Sequence, residues 1–433
     1  MKKNILVVLL LCSSLGTAMF NSCGDENFWK NISGITINPI GDVAVGIGKT
    51  TTLTATVTPD NVSNKDITWS SNNMNIATIG VKTGVVTGVS TGTVTISATA
   101  ANGSGITANK SVTVYSFGQG DGTQTNPYII TTAAQLDEIR NNCSAYYKLG
   151  NNIDLTAYLA DGGAGHTKWG TAGWDPINKD DTTYFSGGLD GAGYKITGLW
   201  INRPSTNGIG LFSFFGGIVQ NLGIEIAMDG IIGNENVGAL AGFGMGNVTN
   251  CYISGAVKGN NHVGGIAGIF AIGSIANCFS TGSINTIAGD VGGIIGFFYV
   301  SGNISNCYST CIINGSGGGI VGDCNAGSQK TIANCVALNP SVVSSYSSDG
   351  IGRIVGYFND IVISNNWARN DMVVTATGTN KTLNKGSNTK DGADCVAIPT
   401  ASWWTTAAPN GPGWDSSVWY FANGQLPILQ WQR

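Results

Sequence analysis

The 433-residue chain is predicted to be all-β: a β-sandwich over 31–116, then a parallel β-helix over 117–433, right-handed and opened by a short capping helix. Three observations predict this. Asn-Cys pairs recur at Asn250-Cys251, Asn277-Cys278, Asn306-Cys307 and Asn334-Cys335, a period of 27 to 29 residues. A fixed period of that size marks an array whose units bury their apolar faces only by stacking. Between Gly208 and Gly322 there are 28 glycines and no proline. Proline removes a ladder donor, so its absence fits a continuously paired sheet. Residues 31 to about 115 are instead rich in Thr and Val in short alternating runs, the pattern of a sandwich.

In the first region the runs 52–58, 67–71, 76–79, 84–89, 92–98 and 111–114 read as strands, with Asn102-Gly103 as a turn and Trp69 as the core aromatic. The ordered motifs are Thr52-Leu53-Thr54-Ala55-Thr56-Val57-Thr58-Pro59, Trp69-Ser70-Ser71 and Ala77-Thr78-Ile79. They closely resemble a group 2 bacterial immunoglobulin-like domain over about 80 residues. The resemblance implies a stalk or adhesion module of a surface protein.

From Phe117 the composition shifts to Gly, Asn and aromatics. Pro127-Tyr128-Ile129-Ile130 reads as a strand. Residues 132–140 read as an amphipathic helix, capped by Thr131 or Thr132, that covers the open end of the solenoid. Glycine-rich apolar runs precede each Asn-Cys pair, as in Val263-Gly264-Gly265-Ile266-Ala267-Gly268, and Ile351-Gly352-Arg353-Ile354-Val355-Gly356 reads as a degenerate end copy. Each coil then contributes one Asn to a column that satisfies bends and one Cys to a column of buried thiols. A metal column is disfavoured, since no second Cys or His stands at ligand spacing. Tyr252, Phe279 and Tyr308 must also stack, either as core or as an outward strip, because one residue of register inverts every face. The clustered Trp403-Trp404, Trp414 and Trp419-Tyr420-Phe421 are expected to plug the far end. Over 127–370 these repeats resemble bacterial surface proteins with GLUG-type repeats, which implies an adhesin-like protein or an accessory part of a secreted peptidase.

Met1-Lys2-Lys3 and the apolar run that follows read as a secretory leader over 1–22, followed by a tether over 23–30. Phe20-Asn21-Ser22-Cys23 resembles a bacterial lipobox, with Phe20 departing from the usual Leu, as in lipoproteins of the Bacteroides group. The resemblance implies lipid attachment at Cys23, and Gly24-Asp25-Glu26 resembles the tether that sends such proteins to the outer surface of the outer membrane. Only 11% of residues are charged and the net charge is −4, with no basic tract, which argues against nucleic acid.

A catalytic site is not legible. The chain has two histidines, His166 and His262, and no His-Glu-x-x-His. Across 205–340 the acids are Glu225, Asp229, Glu235, Asp290 and Asp323, none recurring at repeat spacing. Asp175, Asp180, Asp181 and Asp190 with His166 form the densest polar group, in which Asp180-Asp181 with Lys179 reads as a solvated loop. Trp169, Trp174 and Trp200 with Tyr184 are the candidate ligand platform, on an insertion over 161–183. The expected function is a surface adhesin-like lipoprotein that binds a host or matrix glycan or protein without a cofactor. The alternative is a carbohydrate-binding or carbohydrate-processing β-helix.

Overall fold

The computed structural model describes residues 31–41, 43–117, 119–178, 182–324, 329–345 and 350–433. The leader, the tether and Cys23 lie outside the described residues, as do Asp180 and Asp181. The chain divides into two compact units, Met1–Ser116 and Phe117–Arg433.

The first unit has nine described strands: β1 Gly34–Asn38, β2 Val43–Gly46, β3 Thr50–Thr52, β4 Thr54–Thr58, β5 Ile67–Ser71, β6 Ala77–Ile79, β7 Val85–Gly88, β8 Gly92–Ala100 and β9 Thr107–Tyr115. They pair as β2-β9-β8-β5, β3-β7-β6 and β1-β4. Alternation puts Val94, Ile96, Ala98, Val112 and Val114 on one face, where they close over Trp69. Asn102 Oδ1 accepts the Ser104 amide at 3.0 Å, and Gly103 at φ 80° completes the β8–β9 turn.

The second unit is a three-faced parallel β-helix. A nine-stranded first face runs from Tyr128–Ile130 to Ile361–Ser364. A branched second face begins at Ile153–Asp154 and includes Tyr252–Gly259 and Phe279–Gly292. A six-stranded third face stacks Phe212–Phe215, Ala241–Gly244, Ala267–Phe270, Ile295–Phe298, Val321–Cys324 and Val355–Phe358. The capping helix is Ala133–Asp137, extended as a 3-10 turn over Glu138–Asn141, and Thr132 accepts the Gln135 amide. The insertion, read as loop, instead contains the helix Ala164–Trp169, and a second short helix, Thr156–Leu159, precedes it. Asp137, fully buried, ties them down: Arg140 reaches it at 2.6 Å, Lys168 at 2.6 Å and Tyr158 at 3.0 Å.

Between first and second faces the chain turns sharply. Asn221, Asn250, Asn277, Asn306, Asn334 and Asn365 make that turn with φ between 51° and 56°, a region Asn tolerates better than other side chains. Their amides form a ladder: Asn250 donates to Asn221 at 3.1 Å, Asn277 to Asn250 at 3.2 Å, and Asn306 to Asn277 at 3.1 Å. Next to them Cys251, Cys278, Cys307 and Cys335 are buried and free. Each thiol donates to the carbonyl two residues back, at 3.1 to 3.3 Å. In the next coil Asn366 takes the Cys place, accepting the Cys335 amide at 2.8 Å and donating to the Ile332 carbonyl at 2.8 Å. Burial pushes the Cys278 and Cys335 thiols well above their ordinary range, and holds Cys311 at about 11. These thiols are therefore expected to react with a thiol reagent only after denaturation. Immediate full reactivity of the native protein would contradict the buried column.

Tyr252, Phe279 and Tyr308 stack with centroids 5.1 and 4.8 Å apart and planes within 9° of parallel. They face the C-terminal segment, which corrects its expected place. That segment does not plug the far end. It runs back along the coils: the Trp414 indole donates to Asn334 O at 2.8 Å, Tyr308 Oη to Pro427 O at 2.8 Å, and the Trp431 indole to Asn250 O at 3.1 Å. The physical reason is the ring ladder itself, which leaves an apolar strip that something must cover. The far end is closed by residues around Arg353, Asp391 and Asp394.

Candidate functional site

The third face carries a second ladder. Its first five strands bury residues on both sides of one half-buried position, and in the sixth, Val355–Phe358, the equivalent Tyr357 is exposed, because successive side chains alternate between coil interior and surface. In register, those positions are Phe214, Phe243, Ile269, Phe297, Asp323 and Tyr357. Tyr184, one residue before the bridge between Phe185 and Phe215, stands at the near end with its ring over Gly216. Tyr184 is 37% exposed, and Tyr357 and neighbouring Tyr299 are each 47% exposed. Phe214 and Phe243 lie 5.5 Å apart between centroids, and Phe297 and Tyr299 lie 5.8 Å apart. No segment comparable to the C-terminal strap covers this strip among the described residues.

A polar corner borders it. His262 lies 5.0 Å from the Phe297 ring, 3.1 Å by Nδ1 from Asn236 Oδ1 and 3.4 Å by Nε2 from Asp290 Oδ2. Asn234 donates to Asn207 at 2.8 Å and Asn260 to Asn234 at 2.6 Å. Amides, an imidazole and a carboxylate beside an apolar strip can pair with hydroxyls or peptide groups of a partner.

The four aromatics of the sequence platform do not come together as one surface. Trp174 is fully buried, with its indole donating to Leu211 O at 3.1 Å. It belongs to the core of the first coils because the insertion folds over it, and its buried ring cannot contact a ligand. Trp169 lies under the Arg140 guanidinium at 4.6 Å. Tyr184 joins the third-face strip. Trp200 lies on the second face, in a groove with His166, Asp161 and Asp229. Asp175 is committed to an ion pair with Arg203 at 3.1 Å, and Asp190 accepts the Ala192 amide at 2.8 Å and Asn221 at 3.1 Å. The third-face strip was missed by sequence reasoning. Its signal was the residue after each Ala-Gly, Ile-Gly or Val-Gly step, as in Ala241-Gly242-Phe243 and Ile295-Gly296-Phe297.

Fold and surface together define an immunoglobulin-like domain joined to a three-faced β-helix that carries a partly exposed apolar strip. Residues 32–114 match the bacterial Ig-like domain (group 2). The chain is similar in fold to a Bacteroides ovatus protein described as a "putative immunoglobulin A1 protease", with a TM-score of 0.55, 23% identity, and coverage of 73% of this chain and 96% of that one. In sequence, 156 residues, 35% of this chain, are 35% identical to halomucin of Haloquadratum walsbyi, covering 2% of it. A stretch of 95 residues, 21% of this chain, is 39% identical to a 3-O-α-D-galactosyl-α-L-arabinofuranosidase of Bifidobacterium longum subsp. longum, covering 8% of it. The chain thus spans only a small part of these curated relatives.

Proposed function

We propose that the chain is a surface-anchored, adhesin-like lipoprotein, lipidated at Cys23, whose β-helix presents its third face to a host or matrix glycan or protein. The observation that carries this reading is the in-register ladder of Tyr184, Phe214, Phe243, Ile269 and Phe297, continued through Asp323 to Tyr357. Stacked coils hold such a strip rigid, so contact can be spread over several repeats at little entropic cost. Similarity to a group 2 Ig-like domain and to part of halomucin supports a surface setting. In this reading the body acts without hydrolysis or lysis, and the carboxylate at the corner of the strip, Asp290, pairs with His262 at 3.4 Å.

Cells carrying the full chain should take up a fatty-acid label on the protein and adhere to mucin- or collagen-coated surfaces. Cys23→Ala should abolish label and adherence together. Label retained by that variant would overturn the anchor.

A further inference from the structure

Apart from the strip, we infer that the groove at Trp200 is a binding site for a neutral hexopyranose. Trp200 sits in Lys195–Asn202, whose pairing with Gly223–Ile232 slips twice. Leu199 pairs with Ile226 and Ile201 with Ile231. The intervening Ala227-Met228-Asp229-Gly230 therefore loops outward opposite Trp200. Bulges of this kind re-aim side chains, and they cluster at functional sites. On the other wall stands the helical insertion, which brings Asp161, His166 and Thr171 to the same groove.

The indole is held from behind. The Trp200 carbonyl accepts the Trp174 amide at 2.9 Å, and a Cβ added to Gly173 would come within 2.6 Å of the Trp200 ring. Glycine at 173 thus lets the backbone close against the ring, and its φ of 73° suits no other residue well. The ring remains half-buried, with the groove on its free side.

The rim has the chemistry of a sugar site. The carboxylates of Asp161 and Asp229 accept from hydroxyls, while the hydroxyls of Thr156 and Thr171 and the His166 imidazole can donate. His166 Nδ1 lies 3.6 Å from Asp161 Oδ1. A pyranose offers the complementary surface, a C–H face for the indole and hydroxyls around its edge. Among the described residues no Lys or Arg lines the groove, since Lys168 is held by Asp137 and Arg203 by Asp175. The carboxylates of Asp161, beside His166, and Asp229 then disfavour uronates, sialic acids and sulfated sugars. A quaternary ammonium would satisfy the charge, but a single indole in an open groove does not build the aromatic cage such ligands use.

Calorimetry with the full chain tests this, using methyl glucoside, methyl galactoside, methyl mannoside, glucuronate and choline as titrants. At least one neutral glycoside should bind, with glucuronate and choline each about tenfold weaker or absent. Trp200→Ala should weaken that binding about tenfold or more, and Trp200→Phe less. Asp229→Asn, at the tip of an exposed bulge, should weaken it while leaving the melting temperature unchanged. Phe243→Ser with Phe297→Ser, on the third face, should leave it intact, so failure here and failure of the strip are separable. No neutral glycoside binding, tighter binding of choline or glucuronate, or neutral-sugar binding indifferent to both Trp200→Phe and Asp229→Asn would each overturn the assignment.

Discussion

Trp419→Ala is expected to destabilise the β-helix by about 3–5 kcal/mol, the range for truncating a large buried aromatic. Trp419 is 1% exposed and sits where the strap meets the ring ladder. Its ring lies 4.7 Å from Trp414, 5.9 Å from Tyr308 and 6.2 Å from Phe279. It also anchors the short strand pair Trp419–Tyr420 and Ile428–Leu429. Losing the ring leaves a cavity bounded by stacked rings, which cannot collapse to fill it. The strap should then loosen and uncover Tyr252, Phe279 and Tyr308. Denaturant unfolding, read together with binding of a hydrophobic dye to the native state, measures both effects. Unchanged stability and no gain in dye binding would show that the strap does not hold the ladder.

Arg353→Ala is expected to cost a similar amount, about 3–5 kcal/mol, the range for breaking a buried charge network. The guanidinium is fully buried. It donates to Asp391 O at 2.7 Å, Gly392 O at 2.8 Å, Arg369 O at 3.2 Å and Asp394 Oδ1 at 2.7 Å. Three of these four acceptors are carbonyls, so the loss comes mostly from acceptors left unpaired and not from the half-exposed Asp394 carboxylate. In the coils before it the same place holds Gly265, Gly293 and Gly319. There the next coil supplies partners. At Arg353 the regular coils end, and a planar side chain with several donors gathers the carbonyls that would otherwise face an open end. Arg353→Lys should recover only part of the loss, because a single ammonium cannot reach three carbonyls at once. Full rescue by Lys would contradict this account.

The repeat was legible because one-dimensional stacking writes its period straight into the sequence. Asn250, Asn277, Asn306 and Asn334 were readable as bend residues, and the Cys column followed from them. The sandwich was equally plain, since strand alternation and Trp69 are local signals. The strap was not legible. Its placement depends on contacts 80 to 181 residues apart, such as Trp414 with Asn334 and Trp431 with Asn250, and no local pattern encodes those. Nor was the third-face strip. Phe243 and Phe297 look like core residues beside Gly242 and Gly296, and only the observed register turns them outward. Trp174 shows the reverse error: an aromatic on an insertion reads as a surface platform until helices fold over it.

The most direct test of the recognition-scaffold account is binding of the purified protein to an array of host and matrix glycans and proteins. The wild type is compared with a Phe243→Ser, Phe297→Ser double variant shown to melt at a similar temperature. The account predicts saturable binding to at least one array component and its loss, by about tenfold or more, in the variant. Binding of equal strength by both proteins would contradict it.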